Sequence, residues 1–510
     1  MTEKIVSMKN ISKTFGSVKA LSNVNLDLYK GEVHSLLGEN GAGKSTLMNI
    51  LSGIYVPDEG SLSIRGKKVR LRSPKDSIDL GIGMIHQHFK LVDVLTAKEN
   101  IVAGYNKGVF VKGKELTEKI KATSVKYGLE IDPDKKVYNM SVAEKQRVEI
   151  LKVLYRGADV LILDEPTAVL TPQETEGLFD IIRNMAKEGC AVVIITHKLN
   201  EVMEISDKVT ILRKGQSIKT LIKNETNVNE LTEEMVGEAI DLSIKRVPLG
   251  SRKKVMEIKN MTVLHGDRTK AVDNINFDLY SGEILGVAGI AGSGQKELCD
   301  ALAGLEKIHS GDVLYQGESI RGKKPGDIIK MGITMSFVPE DRLGMGLVAS
   351  MDIVDNVLLK EYQKYHGVML HKKTSKEKAM TIVEQLNVST PGINNYPVRM
   401  LSGGNIQKIL LGREIAADPS VMITAYPSRG LDIASSMLVY DLLNKQKQKD
   451  VAVLYIGEDL DVLMQLSDRI LVLYNGMITG IVDAKATTRE QLGLLMSGVV
   501  EETDENSQKR

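Results

Sequence analysis

A chain of 510 residues is longer than one ordinary hydrophobic core supports, so it predicts two or more domains. Its composition, 42% apolar and 26% charged, is that of a soluble globular protein, and no window approaches the roughly 18 uninterrupted apolar residues of a membrane span. Lys plus Arg number 67 and Asp plus Glu number 66, a balance that gives no electrostatic reason to expect nucleic acid as a partner.

An internal repeat organises the chain. Residues 28–43 (LYKGEVHSLLGENGAG) resemble residues 279–294 (LYSGEILGVAGIAGSG), with an offset of 282 − 31 = 251 between the first shared glycines. Farther on, MSVAEKQ from Met140 resembles LSGGNIQ from Leu401, and ILDEPT resembles ITAYPS, both at an offset of 402 − 141 = 261. Because two copies of domain size are too few for a solenoid, the repeat predicts two tandem domains.

Composition places the boundaries of the two domains. The segment DLSIKRVPLGSRKK is basic and carries Pro and Gly, which is typical of a join, and the last residues are polar and lack apolar anchors. The predicted organisation is a first domain over 1–243, a linker over 244–254, a second domain over 255–499 and a disordered tail over 500–510. Short β-branched runs alternate with helical patterns in each copy, which indicates an α/β fold with a mainly parallel sheet.

The first copy carries a phosphate-binding loop between a predicted strand over 33–37 and a predicted helix. GENGAGKST fits the pattern GxxxxGK[ST] in the required strand–loop–helix context, and it comprises Gly38, Glu39, Asn40, Gly41, Ala42, Gly43, Lys44, Ser45 and Thr46. Its glycines let backbone N–H groups close round phosphate oxygens at the positive end of the helix. Lys44 is predicted to bind the β- and γ-phosphates, and Ser45 to ligate Mg²⁺.

Polar groups follow the next two apolar runs. VLILDEPT ends a predicted buried strand with Asp164 and Glu165, at the edge where open α/β sheets bind ligands. We expect Asp164 to hold Mg²⁺ and Glu165 to polarise the attacking water as general base. VVIITH places His197 where its ring could hydrogen-bond the γ-phosphate or the water. Phe15, in SKTFGSV, is either a surface on which adenine stacks or a core aromatic.

A motif in the second copy makes the interpretation specific. LSGGN, residues 401–405, together with the phosphate loop and LDEPT, resembles the signature of the ABC ATPases, and the resemblance covers nearly the whole chain. It implies two tandem P-loop NTPase domains, each a mainly parallel sheet with an antiparallel β subdomain and a helical signature subdomain. It also implies that the domains meet head to tail, with ATP and Mg²⁺ between one phosphate loop and the opposite signature. Gln87, in GMIHQHF, would then assist catalysis and ligate Mg²⁺, and the residues reaching across from the second half would be Ser402, Gly403, Gly404 and Asp432.

The two copies have lost different motifs. In the second copy, the replacements are Gln295 for Lys44, Lys296 for Ser45, Ala425 and Tyr426 for the two acids, Glu458 for His197 and Glu340 for Gln87. In the first copy the signature reads SVAEK, with Val142 and Ala143 in place of two glycines, and Thr171 stands where the second copy has Asp432. Head-to-tail pairing therefore predicts one complete site, and one altered site that is structural or binds nucleotide without turnover.

The resemblance extends to a branch of the family. Fused pairs of this length, with VPEDR in the second half and a weakened first signature, look like the ATPases of bacterial importers for ribose-type sugars and nucleosides. Residues 140–174, QHFKLVDVLTAKENI and the altered ITAYPSRGLD are similar to the nucleoside branch, which takes purine nucleosides such as guanosine. This implies an ATPase motor on the cytoplasmic face of the cell membrane. It would be held there only by two transmembrane permease subunits, which work with a substrate-binding lipoprotein and dock on the loops after Gln87 and Glu340.

Two alternatives stay open at this point. One is the same role in an importer of ribose-type sugars. The other is a soluble fused ABC ATPase that acts on the ribosome or DNA without a permease. The near-zero net charge, the short join and the single altered site disfavour the second alternative.

Overall fold

The computed structural model describes residues 3–16, 18–86, 89–104, 113–168, 170–237, 242–248, 252–337, 342–362 and 372–499. The chain divides into two compact units, Met1–Asp241 and Leu242–Arg510. Each unit contains a four-stranded antiparallel sheet and a six-stranded sheet that is mainly parallel. The predicted tandem α/β fold is therefore confirmed.

The antiparallel sheet of the first unit has the spatial order β2-β1-β4-β5. Its strands are β1 (Lys4–Phe15), β2 (Val18–Tyr29), β4 (Glu59–Ile64) and β5 (Lys67–Val69). Apolar residues of β1 and β2 alternate with polar ones, so one face is buried and the other faces solvent. The buried face shares a core with the first helix and with one face of the larger sheet.

The larger sheet of the first unit has the order β10-β9-β3-β8-β7-β6, and only β9 and β10 pair antiparallel. Its strands are β3 (Val33–Leu37), β6 (Ile82–Ile85), β7 (Val160–Asp164), β8 (Ala191–Thr196), β9 (Lys208–Arg213) and β10 (Gln216–Ile222). The central strands β7 and β8 are apolar up to their last residue, and β3 is buried throughout although it contains His34 and Ser35, because helices or the other sheet cover both faces of these strands. Their carboxyl ends lie side by side at one edge.

The helices of the first unit are α1 (Lys44–Leu51), α2 (Pro74–Asp79), α3 (Ala97–Val102), α4 (Gly113–Tyr127), α5 (Val142–Tyr155), α6 (Pro172–Lys187), α7 (Leu199–Ile205) and α8 (Val228–Val236). Helices α3, α4 and α5 pack together on the second core of the unit, which also covers the other face of the parallel sheet. Helices α5 and α6 each begin at a capping box, Ser141 with Glu144 and Thr171 with Glu174.

The second unit repeats this architecture, with sheet orders β12-β11-β14-β15 and β16-β17-β18-β13-β19-β20. Its strands are β11 (Lys254–Leu264), β12 (Lys270–Tyr280), β13 (Ile284–Ala288), β14 (Ile308–Tyr315), β15 (Glu318–Ser319), β16 (Ile333–Phe337), β17 (Val421–Ala425), β18 (Ala452–Ile456), β19 (Arg469–Tyr474) and β20 (Met477–Asp483). Its helices are α9 (Gln295–Leu302), α10 (Pro325–Lys330), α11 (Arg342–Met345), α12 (Ile353–Glu361), α13 (Lys372–Gln385), α14 (Gly403–Ile415), α15 (Ile433–Gln448), α16 (Leu460–Leu466) and α17 (Arg489–Met496).

The first residues of the predicted linker contact the second unit. The backbone oxygen of Val247 accepts a hydrogen bond from Lys447 Nζ at 2.5 Å, and Arg246 donates from Nε to the backbone oxygen of Gln465 at 3.1 Å. The Lys447 ammonium is buried and also pairs with Asp468 at 2.7 Å. Residues 244–247 therefore cover a buried ion pair of the second unit rather than crossing open solvent.

Across the parts of the chain that the structure describes, no helix combines the length and the apolar character that crossing a membrane requires.

Candidate functional site

The phosphate loop joins the carboxyl end of β3 to the first turn of α1. Gly43 comes directly before the helix with a φ of 102°, in the left-handed region. A methyl group at Gly43 would lie 2.6 Å from Leu21 Cδ2 and 2.8 Å from the backbone oxygen of Ala20, both on β2. Glycine is therefore required here for two reasons, because the backbone is left-handed and because β2 packs against the loop.

Lys44 is the first residue of α1 and its side chain is buried inside the loop. Its Nζ donates hydrogen bonds to the backbone oxygens of Gly38 at 2.6 Å and Glu39 at 3.0 Å. Burial lowers the pKa of Lys44, and the nearby charges of Glu165, Asp164 and Glu39 oppose that shift. A desolvated ammonium at a helix N-terminus fits a polyphosphate, whose oxygens would replace the carbonyl partners.

The other loop residues surround this lysine. Gly38 and Ala42 are buried at the base of the loop, Glu39 and Gly43 are half-buried, and Asn40 and Gly41 are exposed at its tip. Ser45 is exposed and Thr46 half-buried in the first turn of α1. This turn thus presents hydroxyl groups beside the Lys44 ammonium.

The two predicted acids lie at the end of β7, two strands away from β3. Asp164 is half-buried, and burial together with the charge of Glu165 raises its pKa to about 6, although Lys44 acts in the opposite direction. A carboxyl group in this environment is suited to a divalent cation, which would favour its charged form. In the described part of the chain no three His, Cys, Asp or Glu side chains converge as a metal site. The carboxylate of Asp164, on the same sheet edge as the loop, fits Mg²⁺, which protein sites bind through one or two carboxylates and substrate phosphates.

Glu165 and His197 form a pair at the same edge. Glu165 follows β7 with a left-handed φ of 47°, and His197 follows the neighbouring strand β8. His197 Nδ1 lies 3.0 Å from Glu165 Oε1, and this hydrogen bond lowers the pKa of Glu165 more than burial raises it. An ionised carboxylate held by a partly exposed imidazole can accept a proton from water.

A buried network behind these acids could not be predicted from sequence motifs. Thr167 Oγ1 lies 2.7 Å from both carboxylate oxygens of Glu201, and Lys198 Nζ lies 2.9 Å from Glu201 Oε1. Gln146, on α5, donates to the backbone oxygen of Pro166 at 2.7 Å. These contacts hold the loop that follows Glu165; the repeated segments MSVAEKQ and ILDEPT include Gln146 and Thr167 but do not show that they join it.

Gln87 and Phe15 are the remaining predicted residues of the first unit, and the structure describes only Phe15. Gln87 lies outside the described residues. Phe15 ends β1 and is 42% exposed, so it is not a core aromatic. Its ring packs edge-on against Tyr55, with the ring centroids 5.2 Å apart and the planes at 68°.

In the second unit the signature residues begin α14. Ser402 caps this helix by accepting from the backbone N–H of Asn405, and Gly403 and Gly404 form its first turn. Asp432 caps α15 through Ser435, whose backbone N–H lies 2.6 Å from its Oδ1. A methyl group at Gly404 would lie 3.8 Å from Asp432 Oδ2, so the structure brings the signature and this acid together.

The geometry of Gly404 does not itself demand glycine. Its φ is outside the left-handed region, and the atoms nearest to an added methyl group are at ordinary contact distance, 3.8 to 3.9 Å. A methyl group would therefore fit at this position of the second unit. The missing side chain instead leaves the start of α14 open to a close external group.

The second unit keeps the loop backbone but changes its chemistry. Gln295 replaces the lysine, is buried, and donates from Nε2 to the backbone oxygen of Ile290 at 3.3 Å. Tyr426 has a left-handed φ of 51°, like Glu165, and burial raises the pKa of its phenol to about 12. Glu458 pairs with Arg429 at 3.1 Å, at the position that corresponds to His197.

The other positions at which the two sequence copies differ lie in equivalent places of the two units, where the structure describes them. Lys296 is exposed in the first turn of α9, Ala425 is buried at the end of β17, and Glu340 lies outside the described residues. In the first unit Val142 and Ala143 begin α5, and Thr171 caps α6 as Asp432 caps α15. The two units thus share a backbone at these positions and differ in the side chains that stand where the sequence predicts phosphate binding and water activation.

The sequence profile of the ABC transporter family matches residues 21–168 and 272–426. The nucleoside import ATP-binding protein NupA of Lactococcus lactis subsp. cremoris (strain MG1363) is 41% identical over 502 residues. The guanosine import ATP-binding protein NupO of Bacillus subtilis (strain 168) is 43% identical over 501 residues. Each of these matches covers 97% of this chain and 98% of the relative. The xylose import ATP-binding protein XylG of Thermoanaerobacter pseudethanolicus (strain ATCC 33223 / 39E) is 38% identical over 506 residues, which cover 98% of this chain and 100% of the relative. A solved structure of RNase-L Inhibitor has a TM-score of 0.61 at 19% identity and covers 96% of this chain and 93% of its own, a likeness of fold alone.

Proposed function

The chain belongs to the ABC transporter family of ATP-binding proteins and is an ATPase, and on that premise we propose that it drives the import of nucleosides, purine nucleosides such as guanosine among them, through separate permease subunits. The observation that carries the substrate class is the identity of 41% and 43% to relatives named for nucleoside and guanosine import. Sugar import is the second candidate, since a relative named for xylose import is 38% identical over nearly the whole chain.

One composite site performs the hydrolysis in this proposal. The first unit contributes Lys44, Ser45, Gln87, Asp164, Glu165 and His197, and the second contributes Ser402, Gly403, Gly404 and Asp432. Two observations support this pairing: each unit by itself lacks one half of the set, and Gly404 opens a helix N-terminus that its own unit does not need open.

Each residue of the site has a physical role. Lys44 and the loop N–H groups bind the β- and γ-phosphates of ATP, and the start of α14 binds the γ-phosphate from the other side. Glu165 accepts a proton from the attacking water while His197 orients its carboxylate. Ser45, Asp164 and Gln87 would hold Mg²⁺, which when bound neutralises charge on the phosphate oxygens.

The proposed role in import requires partner proteins that bind the nucleoside and carry it across the membrane. Two transmembrane permease subunits carry the nucleoside across the bilayer, a substrate-binding lipoprotein delivers it, and the chain is held at the cytoplasmic face of the cell membrane by the permeases alone. The loops after Gln87 and Glu340 form the docking surface. ATP-driven closure of the two units and reopening after hydrolysis shift the permease between its two states.

The substrate is tested by uptake in a strain that lacks the gene. We expect the deletion to abolish uptake of labelled guanosine or another nucleoside, to leave uptake of labelled ribose and xylose unchanged, and to be complemented by the wild-type chain. Loss of pentose uptake with normal nucleoside uptake would move the chain to the sugar importers. Unchanged uptake of both would contradict an import role.

The catalytic assignment is tested by a matched pair of substitutions. Glu165→Gln keeps the shape of the side chain but removes the base, and general-base losses are of the order of 10²–10⁴-fold, so we expect kcat for ATP to fall at least about a hundredfold. Gln295→Ala, at the equivalent of Lys44 in the second unit, should retain most of the activity. Comparable losses from both variants would overturn the assignment.

A further inference from the structure

Phe15 belongs to a small cluster that no sequence motif indicated. We call Phe15, Tyr55, Asp58 and Lys13 the aromatic platform. Tyr55 lies in the loop after α1, half-buried against the core of the first unit, and its ring meets Phe15 edge-to-face at 5.2 Å. Lys13 Nζ lies 5.5 Å from the centroid of the Phe15 ring. Phe15 thus has a supporting ring on one side while 42% of it remains exposed.

The platform is tied to the helix that carries the phosphate-binding lysine. The backbone N–H of Tyr55 donates to the backbone oxygen of Asn49 at 3.0 Å, and Asn49 lies in α1, which begins at Lys44. A group bound beside Phe15 and a group bound at Lys44 would therefore be positioned by one rigid element. Such an element fixes the spacing between a base and its phosphates.

Asp58 fixes the strand that carries Phe15. Its Oδ2 accepts from the backbone N–H of Thr14 at 2.7 Å, and its Oδ1 accepts from Lys13 Nζ at 2.8 Å. Its own backbone N–H donates to the backbone oxygen of Ser12 at 2.9 Å. The loop from Tyr55 to Asp58 thus holds the end of β1 both through its backbone and through the ring of Phe15.

The second unit folds the same way without a platform. Counting from the paired left-handed residues Asn10 and Asn260, the position of Phe15 is taken by His265. Counting from the paired glycines 53 and 304, the position of Tyr55 is taken by Glu306 and that of Asp58 by His309. Because the antiparallel sheet forms with and without the aromatic pair, the pair is not a requirement of the fold. It occurs only in the unit whose phosphate loop is intact.

We propose that Tyr55 is a positioning residue for nucleotide binding, which holds the ring of Phe15 against the adenine of ATP while Asp58 anchors the same strand end. The inference rests on the proposed ATPase function and on the interpretation of the exposed Phe15 ring as the surface on which adenine stacks. It extends that function by assigning part of the affinity for adenine to the ring of Tyr55, which does not itself touch the nucleotide.

The test compares a ligand with a base and a ligand without one. On the full chain, we would measure kcat and KM for ATP, and the inhibition constant of inorganic tripolyphosphate, for wild type, Tyr55→Ala and Tyr55→Phe. From the strength of an edge-to-face pair, Tyr55→Ala should raise KM for ATP about two- to tenfold and leave kcat and the tripolyphosphate constant unchanged. Tyr55→Phe should restore KM, and Glu306→Ala, the matched change in the second unit, should have no effect.

The other outcomes are separable. If Tyr55→Ala weakens the binding of ATP and of tripolyphosphate equally, the ring merely supports the phosphate loop. If neither constant changes, Tyr55 has no role in nucleotide binding. Both results overturn the inference.

A parallel Phe15→Ala variant separates the stacking of adenine on Phe15 from the positioning role of Tyr55. If Phe15→Ala raises KM for ATP and Tyr55→Ala does not, stacking on Phe15 stands and the positioning role fails. If Phe15→Ala leaves KM unchanged, stacking itself fails.

Discussion

At the scale of single residues, Glu32 illustrates how a buried charge supports the strand that leads into the phosphate loop. Glu32 precedes β3, and its carboxylate lies 3.0 Å from His34 Nδ1 and 2.7 Å from Lys208 Nζ. Burial raises its pKa, but the hydrogen bonds from His34 and Lys208 outweigh burial and lower it below the ordinary value of 4.5. Glu32 is therefore more stable as a charge in the folded first unit than in the unfolded chain.

We expect Glu32→Gln to lower the free energy of unfolding of the first unit by about 2–3 kcal/mol at pH 7, since hydrogen bonds to a charged group are lost. Because the folded pKa is depressed, the contribution is complete above pH 4.5 and is lost as the pH falls through the folded pKa. Calorimetry of both proteins at pH 7 and at decreasing pH below 4.5 should show the difference shrinking. A difference that does not change with pH would contradict the charge-based account.

How far the sequence predicts single residues depends on where their partners lie. Lys44, Asp164 and His197 follow apolar strands with motif spacing, so strand order alone brings them to one edge of the sheet. Tyr55 and Lys208 carry no such pattern. Their partners are 40 and 176 positions away, and only the folded chain shows which side chains meet.

At the scale of elements, the signature helix α14 is held by a buried ion cluster. Glu414 is fully buried, with Arg413 NH2 2.8 Å from its Oε1 and Lys360 Nζ 3.0 Å from its Oε2. Arg413 also donates to the backbone oxygen of Gly346, which ties α14 to the loop before α12. The corresponding position of the first unit, 414 − 261 = 153, is a valine. At the position of Glu414 the first unit therefore has no carboxylate to form this cluster.

We expect Glu414→Ala to destabilise the second unit by about 3–5 kcal/mol, because it leaves the cations Arg413 and Lys360 beside a buried, uncharged site. The triple variant Lys360→Met/Arg413→Met/Glu414→Met removes all three charges together and should lose less than the single variant. Thermal unfolding of both variants is the measurement. A triple variant that loses as much as Glu414→Ala, or more, would contradict the account based on unpaired charges.

The contacts of the predicted linker are not visible in its composition. The segment is basic and carries Pro and Gly, and residues 244–247 contact α15 and the end of α16. The bonding partners lie about 200 positions away along the chain, so composition could not reveal them. By contrast, the core strands β7, β8, β13 and β18 were predictable as apolar runs because the fold buries them on both faces.

At the scale of the whole molecule, the two units repeat one fold and carry different polar groups. The first unit has a desolvated lysine, two acids and a histidine at one edge of its sheet, and an aromatic platform joined to the helix that begins at the lysine. The second unit has replaced these groups with Gln295, Tyr426 and Glu458 and has kept the open start of α14. The repeat and its unequal losses could be read from the sequence, and they carry the proposal that the two units share one catalytic site.

The most direct test of that proposal adds the same side chain to both signatures. Steady-state ATP hydrolysis of the full chain is measured for Gly404→Val and for Ala143→Val. The Cβ that Gly404→Val adds meets no atom of its own unit closer than 3.8 Å. The side chain would nevertheless keep the γ-phosphate away from the backbone N–H groups at the start of α14, and loss of one such interaction costs about 10²–10³-fold in kcat. The shared-site account predicts a loss of that order for Gly404→Val and nearly wild-type rates for Ala143→Val. Equal effects, or full activity of Gly404→Val, would contradict it.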